Sequence, residues 1–312
     1  MGLASLMRTR ERWAGCAVDV LRSMTNDWSY RYGFLARDHR EDVYAALWRG
    51  LFTADGCDAV VLDWLPEDYR TLRSALETAG AFDWNHDVFH ACDSPSRRLP
   101  SPPEPWNKGL KSKFKSNLRN RERRLRAAGL VEFDVVRYGD GFADALNKFY
   151  SLESMGWKGE RGTAILMQPE AKAFFDSYVR RAASHIQIPI LSLDGTPVAA
   201  QLIRVDQGTM YLFKTAFDPA FSRYSPGQLI TARAMQYGID HGMETYDFLG
   251  VAMHWKTDWA PELRSNVQAV FCSPSATGRY VFMMRHGIKN HVKRVPGAVP
   301  LARWLRSKGD GA

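Results

Sequence analysis

Cysteine is scarce, with four residues at 16, 57, 92 and 272 and no CxxC pair in 312. Thiols so few and so scattered do not make a disulfide framework and read as reduced core residues. His86, His90 and Cys92 imitate a ligand set, but the surrounding NHDVFHACD alternates like a strand, which would disperse them. No metal centre is therefore expected. No apolar run approaches the roughly 20 residues that span a bilayer. The arginine-laden start MGLASLMRTRERW lacks an apolar core of signal-peptide length, and Leu6 stands where a myristoylation signal needs Ser or Thr. These absences make the cytoplasm the default compartment. Also missing are a Gly-x-Ser-x-Gly elbow, a Walker phosphate loop, HExxH, and GxGxxG after a strand. Each would have announced its own chemistry.

What is present is globular. Hydrophobic residues make up 45% and charged residues 24%, which suits two ordinary domains or one large one. The net charge of +8 is unevenly placed. Residues 108–126 hold nine Lys/Arg against one acid, and residues 285–308 hold seven against none. Those segments sum to +15, so the rest of the chain carries −7. A protein wholly devoted to nucleic acid spreads its basic charge over a face instead.

Val43, Leu47 and Leu51 are spaced for a helix over 39–55. DAVVLDWL at 58–65 reads as a buried strand, with Pro66 opening a second helix that ends near Gly80. Residues 85–92 read as another strand. SPSRRLPSPPEPW at 94–106 holds five prolines in thirteen residues and is the best linker candidate. A basic helix over 108–128, stopped by Gly129, should follow. Then come a strand at 131–137, a helix at 142–155, a glycine-rich loop at 157–167 and a helix from Pro169 to Ser184. A hairpin turning at Asp194-Gly195 leads to a strand at 210–216, a helix at 226–241 and a strand at 245–249. The order predicts a mixed α/β fold in which an antiparallel meander feeds a β-α-β crossover. Four segments follow: an N-terminal lobe 1–93, a linker 94–106, a domain 107–273 and a basic helical tail 274–312. Pro296 and Pro300 should break the tail into two short helices.

Three local patterns could carry chemistry. In Tyr224-Ser225-Pro226-Gly227-Gln228-Leu229, Ser225 suits an N-cap and Pro226 the first helical position. Gly227, Gln228 and Leu229 would then offer backbone N–H groups without helical partners, where the helix dipole favours an anion. The same hexapeptide also suits a well-capped helix with no ligand. Glu153, Trp157 and Lys158 flank a glycine-rich turn that is either a packed anchor or the wall of an acceptor pocket. Asp247 sits in an apolar strand, where an unpaired carboxylate is costly. It should face a cleft or meet a cation, with Lys256 and Lys158 the nearest.

Taken together, GWKGERGTAI, YLFKTAFDPAFSRYSPGQLI and YDFLG with Lys256 and Trp259 downstream resemble the CelD-like (cellulose biosynthesis protein D-like) acetyltransferases. These belong to the GNAT superfamily and are distant relatives of the Fem-type peptidyltransferases. The helix ending RRLRAAG is similar to the family's helix before its acyltransferase domain. The resemblance runs from roughly Ser23 to the end and is most specific between Glu153 and Trp259.

The resemblance implies an α/β GNAT fold whose co-substrate is acetyl-CoA or another acyl-CoA. Its pyrophosphate would rest on Arg223, Ser225, Pro226, Gly227, Gln228 and Leu229. SPGQLI replaces the usual Arg/Gln-x-x-Gly-x-Gly/Ala loop and has one glycine. Family members carry extra strands before the part matching Ser23, so the N-terminal lobe is expected to be an incomplete GNAT-like half. The acceptor, an amine or hydroxyl of a small molecule or sugar, would attack the thioester directly. Glu153 or Asp247 would take its proton, while Lys158 and Lys256 orient an anionic acceptor or steady the leaving thiolate. Trp157 would line the acceptor site. Two other readings stand beside this one. The first is Fem-type transfer from aminoacyl-tRNA, with 108–126 contacting RNA phosphates. The second is a non-catalytic module bound to an anionic partner. The plainest view of the basic helix is a solvated face.

Overall fold

Three two-residue hairpins fix the register of five strands. Ala14-Gly15, Asp194-Gly195 and Gln207-Gly208 each hold both residues at positive φ, the turn whose twist matches that of paired strands. The computed structural model describes residues 1–26, 28–102, 104–260 and 262–294; for Trp157, Lys158 and 286–294 it describes the backbone alone.

In chain order the first elements are β1 (Gly2–Leu3), β2 (Leu6–Trp13), β3 (Cys16–Ser23), β4 (Leu35–Ala36), α1 (Glu41–Phe52), β5 (Ala59–Pro66), α2 (Arg70–Ala79) and β6 (Asn85–Arg98). Next come α3 (Ser112–Arg126), β7 (Val131–Arg137), α4 (Phe142–Met155), α5 (Trp157–Glu160), α6 (Pro169–Arg181), β8 (Ile186–Leu193) and β9 (Thr196–Asp206). The last are β10 (Thr209–Phe217), α7 (Pro226–Asp240), β11 (Thr245–Asp247), α8 (His254–Thr257), β12 (Glu262–Cys272) and α9 (Ala276–Arg294). The chain forms two compact units, one of residues 1–92 with the chain from Ser265 on, the other of Asp93–Arg264. It enters the second unit inside β6 and leaves it inside β12.

The first unit is built on strands in the order β2, β3, β5, β12. β2 and β3 are antiparallel, β3 and β5 parallel, β5 and β12 antiparallel. Ala59–Leu62 is an unbroken apolar run, the pattern of a strand covered on both sides. Trp48 and Phe52 of α1 pack with Leu72 and Ala75 of α2 against Val60, Leu62 and Phe271. Val18, Val20, Val61 and Val270 make a second core with Val281 of α9.

The second unit orders its strands as the end of β6, then β11, β10, β9, β8 and β7. The β10–β11 pair is parallel and the others are antiparallel. α7 connects β10 to β11, the expected crossover. It buries Leu229, Ile230, Ala234 and Met235 against Ile203, Met210 and Leu212, and Leu118 and Leu125 of α3 join that core. α4 lies on β8, β9 and β10, burying Phe149, Tyr150 and Leu152, while α6 buries Phe175 and Val179.

Several expectations need correction. The linker is not a linker over its first third, because Ser94–Arg98 finish β6 and Ser96–Arg98 pair with β11. Pro95 tolerates this because its carbonyl, which proline keeps, accepts the Phe248 N–H at 3.0 Å. The expected domain 107–273 has the wrong ends: the second unit begins at Asp93, and Ser265–Cys272 of β12 belong to the first. Those bounds depend on pairing partners far away in sequence. Pro66 ends β5 and does not open a helix, which starts at Arg70. The 157–167 segment is not all loop, since α5 and a short 3-10 turn at Ile165–Met167 occupy it. In the tail α9 runs to Arg294, and the expected breaks at Pro296 and Pro300 lie outside the described residues.

Candidate active site

β10 and β11 run side by side only from Thr209–Tyr211 to Thr245–Asp247. β11 stops there for a local reason. The Asp247 carboxylate accepts the Leu249 N–H at 2.9 Å, and Leu249 and Gly250 turn into the left-handed region at φ 50° and 57°. Lys256 closes the same turn by donating from Nζ to the Leu249 carbonyl at 2.6 Å. β10 continues to Phe217 while β11 diverges, so the edge of β10 beyond Tyr211 has lost this neighbour.

That edge leads into the start of α7. Asp218 accepts the Ala220 N–H at 2.9 Å and begins a 3-10 turn over Pro219–Tyr224. Ser225 then sits at φ 51°, ψ 57° and makes no side-chain cap bond. The expected Ser225 cap is thus wrong: a left-handed residue turns its backbone, not its hydroxyl, into the helix. The Ser225 carbonyl instead accepts from Gln228 at 2.9 Å and Leu229 at 3.2 Å. Two of the three N–H groups expected to face an anion are therefore occupied. Among the described residues the Gly227 N–H has no partner. No acid stands in the first turn of α7, and a Cβ on Gly227 would lie 3.4 Å from Phe217.

The remaining hexapeptide side chains build the scaffold. Gln228 accepts the indole N–H of Trp259. Trp259 is fully buried, edge-on to Phe114 with centroids 4.9 Å apart. Buried Arg97 binds the carbonyls of Trp259, Trp106 and Lys108 at 2.9, 3.2 and 2.6 Å. A second buried chain anchors α7 from below. Tyr246 donates to Gln201 at 3.0 Å, Gln201 to Thr231 at 2.9 Å, and Thr231 to the Gly227 carbonyl at 2.9 Å. Burial pushes the Tyr246 phenol far up, so it stays a neutral donor. Pro226 and Leu229 are buried. Exposed Arg223 lies 4.7 Å over the Tyr224 ring, which Arg124 of α3 also approaches, at 5.9 Å.

On the α4–α6 side of the sheet Glu153 is 4% exposed, and one of its carboxylate oxygens accepts the Ile165 N–H at 2.8 Å. Trp157 and Lys158 lie in α5, with side chains outside the described set. Gly159 is required there: a Cβ would fall 1.9 Å from the Ser154 carbonyl oxygen. Sequence reasoning missed Lys214, whose ammonium lies 5.6 Å from the Phe175 ring centroid. Its only signal was a lysine inside the apolar run YLFKTAF. His86 and His90 are exposed on β6 and Cys92 is buried, and no metal-holding group occurs among the described residues.

A meander, a parallel β-α-β crossover and a strand pair that diverges at a helix start define the GNAT class of acyltransferase fold. Residues 112–257 match the family model of the acetyltransferase (GNAT) domain, so the second unit carries a GNAT domain. Solved structures of similar fold include the C-terminal domain (DUF2156) of a putative lysylphosphatidylglycerol synthetase from Agrobacterium fabrum. The TM-score is 0.56 at 14% identity, covering 92% of this chain and 88% of that one. FemX is similar at a TM-score of 0.57 and 13% identity, over 86% and 88% of the two chains. L-PGS from Bacillus licheniformis follows at 0.50 and 12%, over 93% and 89%. At such identities these likenesses concern the fold alone. No curated protein matches the chain.

Proposed function

We propose that the protein transfers an acyl group from acyl-CoA to an amine or hydroxyl acceptor. The observation that carries this reading is the β10 edge freed beyond Tyr211, which runs into a helix whose first turn holds no acid and whose Gly227 N–H has no partner among the described residues. The donor would lie along that edge with its pyrophosphate at Gly227 and Arg223 within reach of the outer phosphate. Glu153 is taken as the base, with Asp247 the alternative; each accepts one backbone N–H, from Ile165 and Leu249 respectively. In the reaction the acceptor nitrogen or oxygen bonds to the thioester carbon, its proton passes to Glu153, and the C–S bond breaks to release the thiolate. Lys256 holds the turn after β11, and Trp157 and Lys158 would face the acceptor. The family resemblance favours an acceptor from polysaccharide or cell-envelope synthesis.

The parallel β3–α1–β5 crossover supports reading the first unit as a GNAT-like half. A second reading, Fem-type transfer from aminoacyl-tRNA, draws support from the fold likeness to FemX and from α3. On that helix Lys113, Arg119, Arg123, Arg124 and Arg126 are exposed. The two readings separate in one experiment that measures thermal stabilisation by acetyl-CoA alongside salt-dependent retention of tRNA. Stabilisation without retention supports the coenzyme. Retention without stabilisation moves the donor to tRNA.

A further inference from the structure

Lys214 has no role in the reaction as described, yet the fold takes trouble to place it. In the β9–β10 ladder Leu212 opposes Ile203 and Lys214 opposes Leu202, which leaves Phe213 as an extra residue. Without this bulge, strand alternation would put residues 212 and 214 on the same face. Leu212 lies in the core beneath α7. The bulge sends Lys214 to the other face, where α4 and α6 pack, and re-aiming a side chain beside an active site is a recurrent use of bulges. Lys214 also lies on the stretch of β10 that β11 no longer accompanies.

A half-buried ammonium is favoured by a counter-charge. Asp176 and Asp206 have cations of their own on this face, and Glu153 accepts the Ile165 N–H at 2.8 Å. Asp176 accepts from Tyr150 at 2.8 Å and pairs with Lys172 at 2.5 Å, while Asp206 pairs with Arg204 at 2.9 Å. Arg204 also reaches the Tyr178 hydroxyl at 3.4 Å. Burial pulls the Lys214 pKa down, and the nearby Glu153 carboxylate opposes that shift. A methionine at 214 would fill the space without the desolvation cost, so packing alone does not explain a lysine.

We propose that Lys214 is a positioning residue of the transfer site, its ammonium brought by the Phe213 bulge to the face where α4 carries Glu153, to orient that carboxylate toward the acceptor. This rests on Glu153 acting as the base.

The test reads the pair directly. Lysine side chains are labelled with 13C, the Lys214 resonance is assigned from its loss in Lys214→Arg, and its titration is followed in wild type and Glu153→Gln. Removing the carboxylate should lower the Lys214 midpoint by about one pH unit or more, a tenfold change in its proton affinity. An unchanged midpoint overturns the proposal. Turnover is followed in parallel as thiol release from acetyl-CoA with a panel of amine acceptors. Lys214→Met should keep its melting temperature within a few degrees and lose at least about tenfold in kcat with KM for acetyl-CoA unchanged; Lys214→Arg should restore most of it. A folded Lys214→Met variant with wild-type kcat also overturns the proposal. If the wild type releases no thiol, acyl-CoA as donor fails, while the titration still decides the Lys214–Glu153 pair.

Discussion

Each unit contains a parallel β-α-β crossover, and only one is left open. In the first unit β3 and β5 pair at Val20–Arg22 with Ala59–Val61; β3 ends one residue later at Ser23, while β5 runs on to Pro66. Ser23 seals that end by accepting the Asp63 N–H at 2.9 Å, and Arg22 reaches the Asp63 carboxylate at 3.1 Å. The helix that follows brings its own acids, Glu41 and Asp42, and the latter pairs with Arg40. In the second unit β10 outruns β11, the first turn of α7 carries no acid, and among the described residues the Gly227 N–H has no partner. The topology is repeated while the chemistry is not. A helix start attracts an anion only where the chain has not already supplied one.

The largest expected effect breaks the open crossover outright. Trp259→Ala should destabilise the second unit by about 3–5 kcal/mol, since it empties a fully buried site and strips Gln228 of its donor. Trp48→Ala in the first unit should cost a similar amount. Once refolded under stabilising conditions, only the Trp259 variant should also lose donor affinity. Chemical denaturation and calorimetry read the two losses, and equal donor affinity in both variants would erase the proposed difference.

Next in size is Gly227→Val. The new side chain would meet Phe217 at an ordinary distance, so the fold should survive. Acetyl-CoA affinity should fall at least tenfold, about 1.4 kcal/mol, by steric exclusion at the helix start. Unaltered affinity in calorimetry would put the pyrophosphate elsewhere.

The sealed crossover makes a pH prediction. Hydrogen bonds from Arg22 hold the Glu11 carboxyl down to about 2, with burial opposing and Trp13 and Thr9 assisting. A folded pKa below the unfolded 4.5 contributes stability above pH 4.5 that drains away as pH falls toward 2. Glu11→Gln should therefore cost about 1 kcal/mol at pH 7, a modest figure for a partly exposed pair. The gap to wild type should narrow steadily in urea melts between pH 5 and 2. A constant gap would mean that the loss comes from packing.

The smallest effect concerns Ser225. Its hydroxyl caps nothing and its φ is positive, so Ser225→Gly should be neutral or stabilising by up to about 1 kcal/mol. Ser225→Ala should show little of the loss expected of a true cap. A Ser225→Ala penalty near 1 kcal/mol in thermal melts would restore the capping role.

Local signals proved readable where the physics is local. Pro226 at the head of α7, the Asp194-Gly195 turn and the basic run of α3 each declare themselves within a few residues. Ser225 misled because its residue type suits a cap while its backbone conformation, set by the preceding 3-10 turn, does not. The β2–β3 hairpin was hidden by charges, since RTRERW carries polar side chains on both faces of an edge strand, exposed at the arginines and half-buried at Thr9 and Glu11. The fate of Ser94–Arg98 and of β12 depends on partners more than 140 residues away for the former and about 200 for the latter. Lys214 needed the bulge, which no periodicity reveals.

The two strands that straddle the units bear on how the protein could have been assembled and can be taken apart. A truncated chain starting at 107, after the prolines, would discard Ser96–Arg98 and leave β11 bare on that side. It would also remove Arg97, which gathers the carbonyls of Trp106, Lys108 and Trp259. The compact piece that keeps these pairings together is thus Asp93–Arg264. Its seams fall in the middle of strands and not at the proline-rich stretch. A division at the proline-rich stretch would sever the β6–β11 pairing that a division at Asp93 and Arg264 keeps within the second unit.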